Sequence, residues 1–184
     1  EEDYDFGDAP DEPYPTLLKS NGARHRINPD VFLGSRIDDE RDGQPNADAD
    51  GDDNAGSDDE DGVSLPSSIQ PGQTVNITVS ASTSGFLNAW VDFNGDGDWT
   101  DSGEQIFNDA GLGSGSNNLS FTARDDSKPG KTYARFRFSL KGGESYRGES
   151  FNGEVEDYLI KIEEPPEEDY DFGDAPDEPY PTLL

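Results

Sequence analysis

Apolar and polar residues alternate in several short stretches of the chain from Val63 onward. The alternation is clearest in TVNITVS and ARFRFSL, and it recurs in FLNAWVDF, NNLSFTA and EVEDYLIKI. A period of two is typical of strands that are buried on one face, and turn residues separate these stretches at spacings common in sandwich folds. No segment shows a convincing helical stripe. The pattern therefore predicts an all-β chain in which residues 63–164 form an antiparallel β-sandwich.

The same alternation assigns each side chain of a strand to one face of its sheet. In ARFRFSL it predicts that four apolar side chains point into the core, while two arginines and a serine point outward. The inward set is Ala134, Phe136, Phe138 and Leu140, and the outward set is Arg135, Arg137 and Ser139.

Residues 1–62 carry a different pattern. Prolines, glycines and Asn-Gly or Asn-Pro pairs occur throughout the segment and mark turns. Its apolar residues come in short islands, which can anchor a loop to a neighbouring sheet but cannot close a core alone. We therefore expect a long, acidic, loop-rich segment that packs on the sandwich.

The stretch EEDYDFGDAPDEPYPTLL occurs twice, at residues 1–18 and at residues 167–184. The two copies have the same length, and each residue of the second copy lies 166 positions after its counterpart in the first, since 167 minus 1 and 184 minus 18 each give 166. We interpret the chain as a cut from a tandem array whose unit is residues 1–166. Residues 165–184 would then be a stiff Pro-Pro linker and the start of the next unit.

The second copy carries apolar residues that a segment of this length cannot cover by itself. We expect it to pack on this unit's sandwich, and the first copy to lie on the unit before it. The segment would connect neighbouring repeats within one chain or, as a donated strand, between chains. The predicted contact residues are Tyr170, Phe172, Tyr180, Leu183 and Leu184.

Composition narrows the partners of the chain. Acidic residues outnumber basic residues by 42 to 13, and the formal net charge is −29. A protein of this sign is not expected to bind nucleic acid or anionic lipid, and no run of about 20 apolar residues predicts insertion into a membrane. The 10 Phe, 7 Tyr and 2 Trp residues are too many for a typical disordered tail. The concentrated acidity favours a folded protein whose negative charge is neutralised by cations.

The stretch DFNGDGDWTDSGE, residues 92–104, places oxygen-bearing side chains at alternate positions before a glycine. This order matches the opening of an EF-hand loop, where a tight turn points such side chains at one Ca²⁺ ion. The closing Glu falls one position late and a strand precedes the loop, so we predict an EF-hand-like loop between strands. A solvated hairpin is the alternative. The predicted ligands are Asp92, Asn94, Asp96, Glu104 and, through its backbone carbonyl, Asp98.

A second acidic run covers residues 48–62. Its first aspartates have the same alternate spacing, glycine interrupts them where a ligating loop would turn, and the run adjoins the first strand. A flexible acidic linker is the alternative. We predict metal binding here as well, which makes two or more Ca²⁺ ions per unit. The predicted ligands are Asp48, Asp50, Asp52, Asp58, Asp59 and Asp61.

For two further groups of carboxylates, the sequence leaves a choice between binding metal and a purely structural contact. The motif DFGDAPD could contribute to a metal site or form a plain turn anchored by Phe6. In EVEDYLIKI, alternation places the two glutamates on the interior side, where a carboxylate must be paired or bound to metal. The expected partners of the second group are Arg135, Arg137 and calcium. The two groups are Asp5, Asp8 and Asp11, and Glu154, Glu156 and Asp157.

Several of these motifs together resemble one known family. GEVEDY at residues 153–158 is similar to the signature of the GEVED domain, and WVDFNGDGDW, SGEQIF and YARFRFS resemble its other marks. DFGDAPD, NGARH, DGQP and GSDDEDGV resemble the element that often precedes such domains. The resemblance spans nearly the whole unit. It implies a β-sandwich module, loaded with calcium, in a large secreted or surface protein of bacteria, and it implies little about activity.

These observations predict a calcium-stabilised structural repeat of a long extracellular fibre, adhesin stalk or filament, with adjacent copies of the repeat as partners. The alternative is a calcium-dependent adhesive module for a glycan or protein ligand. Trp90 and Trp99 flank the metal loop, and each could stack on a sugar or lie in the core. We do not expect an enzyme, because no carboxylate pair stands out and the only histidine, His25, lies among basic residues.

Overall fold

The computed structural model describes residues 3–37, 39–51 and 60–165. Residues 167–184, with all five predicted contact residues of the second copy, lie outside these ranges, as do Asp52, Asp58 and Asp59. The regular elements of the described part are β-strands and one 3-10 turn, Leu18–Ser20. The strands are β1 (Tyr4–Phe6), β2 (Arg24–Arg26), β3 (Val63–Ser64), β4 (Ser68–Ile69), β5 (Thr74–Ala81), β6 (Gly85–Val91), β7 (Gln105–Leu112), β8 (Gly115–Thr122), β9 (Gly130–Ser139), β10 (Glu149–Phe151) and β11 (Gly153–Ile162).

Two sheets form the sandwich that the alternating pattern predicted. One has the strand order β4-β11-β9-β6-β7 and the other has the order β3-β5-β8. Their facing side chains belong to a single buried cluster, in which Ile77 of β5 and Phe121 of β8 join Phe136 of β9 and Ile160 of β11. In the described part of these two sheets, the long strands pair in antiparallel register, and the short β4 runs parallel to its neighbour β11. The all-β prediction is confirmed.

The predicted faces of β9 are correct up to the end of the strand. Ala134, Phe136 and Phe138 are fully buried in the core. Leu140, however, is 40% exposed, so its predicted place in the core is wrong. The strand ends at Ser139, and the chain then turns through glycines with positive φ, which ends the alternation.

A third sheet, with the order β1-β2-β10, belongs to the N-terminal segment and its partner strand β10. The first part of the segment, with β1 and β2, lies against the outer face of the five-stranded sheet, which is the face turned away from the core, whereas Val31 and Leu33 join the core. On the outer face, Asp5 accepts a hydrogen bond from the backbone N–H of Val155 at 2.6 Å, and the Ala9 N–H donates to Asp157 at 2.8 Å.

This packing changes the environment of the side chains predicted to point outward. Arg135, Arg137 and Ser139 do point away from the core, yet each is at most 1% exposed. The N-terminal segment and the loop before β10 cover them. Alternation gives the face on which a side chain lies, but it carries no information about what covers that face.

The position of the first copy also differs from the prediction. We expected residues 1–18 to lie on a preceding unit, but the described part of this copy packs on the sandwich of its own unit. Phe6, Ala9 and Tyr14 are each at most 4% exposed there. The prediction was wrong because the sequence did not reveal that the outer face offers a buried ion pair and two tryptophans as a binding surface.

Within the described ranges, no helix is long and apolar enough to cross a membrane.

Candidate functional site

The loop of residues 92–104 connects β6 to β7 and is fixed at its base. Asp92 follows the last residue of β6, and Glu104 precedes the first residue of β7. The Val91 N–H donates to the Glu104 carbonyl at 2.9 Å and closes the loop. The side chains of Asp92 and Glu104 are both fully buried, so two carboxylates enter the protein interior at this point.

The Asp92 carboxylate organises the turn. It accepts hydrogen bonds from the N–H groups of Gly95 and Gly97, at 2.6 and 3.0 Å, and from the Tyr14 hydroxyl at 2.6 Å. Both glycines have positive φ, at 63° and 93°, which a side chain would disfavour. The glycines therefore allow the sharp turn that the sequence motif predicted. Burial, together with the adjacent Asp92 charge, raises the pKa of Tyr14 and keeps its hydroxyl a donor.

Three further side chains converge on the outer part of the loop. The Asn94 amide nitrogen donates to Asp96 at 3.0 Å and to Asp101 at 2.5 Å. Asp101 was not among the predicted ligands, because it occupies a position that the EF-hand spacing does not use. The structure thus brings Asp92, Asn94, Asp96 and Glu104 into one loop with an unforeseen carboxylate.

The negative charge of the neighbouring carboxylates in this loop acts on the side chain of Glu104. Its two oxygens accept N–H groups of Phe93 and Asp101, at 3.2 and 3.3 Å. Burial is the main cause that raises the pKa of Glu104 to about 7, and the charge of Asp92 follows, with smaller effects of Asp101 and Asp96. The carboxylates therefore repel one another when all are ionised.

Asp98 has a different arrangement. Its carboxylate accepts the N–H and the hydroxyl of Thr100, at 2.7 and 2.6 Å, and so caps a turn inside the loop. Its side chain is engaged locally, and ligation through its backbone carbonyl stays a prediction.

The chemistry of the loop fits calcium. It offers carboxylate and amide oxygens without His or Cys, as a hard cation requires, and a bound cation would relieve the repulsion at Glu104. In the part of the chain that the structure describes, no group of three or more His, Cys, Asp or Glu side chains is arranged to hold a metal ion. Calcium binding by this loop is therefore a proposal, which we make below.

The described ligands of the second acidic run have separate partners. Asp48 is close to Lys131, with 3.8 Å between Oδ1 and Nζ, and Asp50 accepts the Asn46 amide at 2.6 Å. Asp61 instead accepts the N–H and the hydroxyl of Ser35. A shared metal site for this run stays a prediction.

The three aspartates of DFGDAPD anchor the N-terminal segment through backbone contacts. Asp5 accepts the Val155 N–H, and Asp8 accepts the Gln44 N–H at 3.3 Å. Asp11 accepts the N–H groups of Thr16 and Leu17 and the Ser20 hydroxyl. Burial raises the pKa of Asp11, but these hydrogen bonds outweigh it and hold the pKa below its usual range.

Of the three carboxylates in GEVEDY, Asp157 is the one that pairs with an expected arginine, which is Arg135. It binds Arg135 through two bonds, from Nε at 2.7 Å and from Nη2 at 2.6 Å, and both side chains are fully buried. The guanidinium also donates to the Pro15 carbonyl at 2.6 Å and lies 4.8 Å from the centre of the Trp99 ring. The ion pair therefore connects two strands of the sandwich to the N-terminal segment.

Glu154 and Glu156 lie on the opposite face from this pair, as alternation predicted. Arg135 and Arg137 project from the other face of the sheet, so the expectation that they neutralise these glutamates is wrong. Glu154 accepts the N–H of Leu33, and Glu156 accepts the N–H of Gly62 at 2.8 Å. These contacts bind the segment before β3 to the last strand.

His25 is a buried structural residue. Its Nε2 accepts a hydrogen bond from Arg137 Nε at 3.0 Å, and its side chain is fully buried. Burial, followed by the charge of Arg137, lowers the pKa of His25 well below its usual value, so the imidazole is neutral. Arg137 in turn donates to the carbonyls of Ser145 and Gly148, at 2.6 and 3.0 Å.

Both tryptophans belong to the interior. Trp90 and Trp99 are 4% and 2% exposed, and they pack with Ala9 and Tyr14. Neither ring can stack on a sugar in this arrangement. The core alternative for these residues is therefore correct.

The segment that contains the loop, the arginine strand β9 and GEVEDY can be compared with known families. Residues 86–161 match the family model of the GEVED domain. This segment is a GEVED domain. The domain runs from β6 to β11 and includes the loop of residues 92–104, whereas the N-terminal segment on its outer face lies outside the match. No curated protein matches the chain.

Proposed function

We propose that the GEVED domain and its N-terminal segment form a calcium-stabilised structural repeat of a long extracellular fibre, stalk or filament, without catalytic activity. The observation that carries the proposal is the loop of residues 92–104. It places two buried carboxylates, Asp92 and Glu104, beside two others, so that a divalent cation would remove a repulsion that otherwise opposes folding. The net charge of −29 gives the whole unit the same need for cations.

Calcium at this loop would also stabilise the N-terminal segment. Tyr14 of the segment donates its hydroxyl to Asp92, and its ring lies 4.6 Å from the centre of the Trp99 ring. Because Trp99 belongs to the same loop, ordering of the loop orders the surface on which Tyr14 packs. Metal binding and packing of the segment are therefore coupled in this proposal.

The ends of the unit suit an extended array. At one end of the unit, the backbone carbonyl of Asp3 accepts the N–H of Ile27. This contact lies next to the beginning of β11, because the N–H of Asn152, which directly precedes β11, donates to the carbonyl of Arg26. Glu163 follows the end of β11, a strand of 10 residues. A strand of this length spans about 30 Å, so the chain enters and leaves the unit at opposite ends. Head-to-tail units would extend along one axis, with adjacent copies as the partners.

The first test is the effect of calcium on thermal unfolding. A ligand at 100 times its dissociation constant stabilises the folded state by about 2.7 kcal/mol. For a chain of this size, that gain corresponds to a rise in Tm of about 5–10 °C. We expect this rise when calcium is added to EDTA-treated protein, and a smaller rise for Asp96→Asn, which lacks one carboxylate of the loop.

Asp30→Asn is the matched control, because it removes an equal charge from an exposed residue outside the loop. It should retain the full response to calcium. Equal melting of the wild type in EDTA and in calcium would contradict the proposed function.

A further inference from the structure

The sheet β3-β5-β8 contains no charged residue. Its three strands lack Asp, Glu, Lys and Arg, and residues 62–91, which include β3 and β5, lack them throughout. In the whole chain, by contrast, 30% of the residues are charged. The inner side chains of this sheet, such as Val75, Ile77 and Phe121, belong to the core. The outer side chains of β5 and β8 form a surface that we call the polar face.

The polar face consists of hydroxyl and amide side chains. Those of β8 are exposed, and those of β5 are exposed or half-buried. At its centre, the Thr78 hydroxyl donates to the Asn118 side-chain oxygen on the neighbouring strand at 3.1 Å. The face is therefore hydrophilic and ordered, but it has no carboxylate.

The two strands of the polar face present the same pattern. The outer residues read T-x-N-x-T-x-S along residues 74–80 of β5 and S-x-N-x-S-x-T along residues 116–122 of β8. The strands are antiparallel, with Asn76 opposite Ser120 and Thr78 opposite Asn118. Rotation by 180° about an axis normal to the sheet between these two pairs therefore brings hydroxyl onto hydroxyl and amide onto amide. The polar face has local two-fold symmetry.

Charge determines which partner fits this face. A basic partner finds no carboxylate on it, and an apolar partner would leave its hydroxyl and amide groups without hydrogen bonds. A second copy of the chain, with a net charge of −29, is repelled wherever acidic surfaces come within about 8 Å at 0.15 M salt. Two polar faces bring no carboxylate into contact, and their groups both donate and accept hydrogen bonds, so identical faces can pair.

We propose that the polar face binds the polar face of a second copy of this chain. The contact goes beyond the proposed function, because it joins units side by side and needs no calcium. If the units form arrays, the local two-fold symmetry allows neighbouring arrays to run in the same or in opposite directions.

The size of the face makes a single contact weak. Seven residues of a strand extend about 20 Å, and two strands are about 10 Å wide, so the face covers on the order of 200 Å². A stable interface buries about 800 Å² on each partner. We therefore expect single chains to associate at concentrations on the order of 1 mM, and repeated units to strengthen the contact through multivalency.

Cysteine cross-linking tests the geometry, because the chain contains no cysteine of its own. Asn118→Cys lies next to the local two-fold axis, so pairing of two faces brings two such cysteines together. Gln70→Cys is the matched control, because Gln70 is exposed and uncharged but lies outside the face. In EDTA under mild oxidation, we expect disulfide-linked dimers of Asn118→Cys to form about 10-fold faster than those of Gln70→Cys. Equal rates would overturn the proposal.

Sedimentation equilibrium of the full chain in EDTA tests the role of charge. For the wild type at about 1 mM, we expect an average mass above that of the monomer, and a further rise from 0.15 to 1 M salt because screening weakens the repulsion between chains. Asn118→Asp should lose this association, since it places like charges opposite each other, whereas Gln70→Glu should keep it.

A wild type that stays monomeric at both salt concentrations, or an Asn118→Asp variant that associates as the wild type does, would overturn the proposal. Because both experiments are done without calcium, their failure would leave the calcium proposal intact. Absence of calcium binding would likewise leave this contact intact.

Discussion

At the scale of single residues, the buried His25 of the N-terminal segment makes the stability of the fold depend on pH. His25 is neutral and accepts a hydrogen bond from Arg137. The sequence argued against a catalytic role for this histidine, because it lies among basic residues. It could not show the neutral state, which results from complete burial and from contact with an arginine more than 100 positions away.

His25→Gln tests this assignment. Because the folded state holds the pKa of His25 below its usual value, the unfolded chain takes up a proton first as the pH falls. The contribution of His25 to stability is therefore complete above about pH 6.5 and is lost below it, by at most about 1.4 kcal/mol per pH unit. Glutamine can accept the same hydrogen bond but does not titrate.

The measurement is the free energy of unfolding by urea for both proteins at pH 7.5 and pH 5.5. We expect the wild type to lose stability relative to His25→Gln at the lower pH. Other groups, including Glu104, are common to both proteins and cancel in the difference. An unchanged difference would show that His25 is not held neutral.

At the scale of elements, the long strands were predictable from alternation and the short ones were not. The stretch TVNITVS forms β5, and EVEDYLIKI lies within β11, since each buries one full face. The edge strand β7 has few buried residues and therefore no clear pattern. The strands of two or three residues depend on contacts that are distant in sequence. The loop of residues 92–104 was found from its spacing, but Asp101 was missed because the motif gives it no role.

The ion pair between β9 and β11 also binds the N-terminal segment, so we expect its loss to cost more than the loss of a surface pair. Asp157→Asn leaves the buried Arg135 guanidinium without a counter-charge, which typically costs about 3–5 kcal/mol. Asp126→Asn is the control, because it breaks the pair with Arg124, in which the side chains are 30% and 70% exposed. The loss of unfolding free energy in Asp126→Asn should stay below about 1 kcal/mol.

Chemical denaturation of the two variants provides the comparison, with limited proteolysis of residues 3–37 as a second measurement. Asp157→Asn should also expose the N-terminal segment to protease. Equal losses of stability in both variants would contradict the structural role of the buried pair.

At the scale of the whole molecule, the structure unites a GEVED domain and its N-terminal segment in one folded unit. The sequence indicated a segment packed on a sandwich, yet it did not indicate to which unit the first copy belongs. Short apolar islands such as Tyr4 and Phe6 show that a surface is needed but do not identify that surface. The structure places it on the outer face of the domain that follows, and the proposed array is a series of such complete units.

Calcium titration of the EDTA-treated chain by isothermal calorimetry is the most direct test of the central claim. The account predicts saturable binding to the wild type, and loss or marked weakening of the event assigned to the loop of residues 92–104 in Asp101→Asn. Asp30→Asn should bind as the wild type does. A wild-type chain that shows no saturable calcium binding, or an Asp101→Asn variant that binds with unchanged affinity and stoichiometry, would contradict the account.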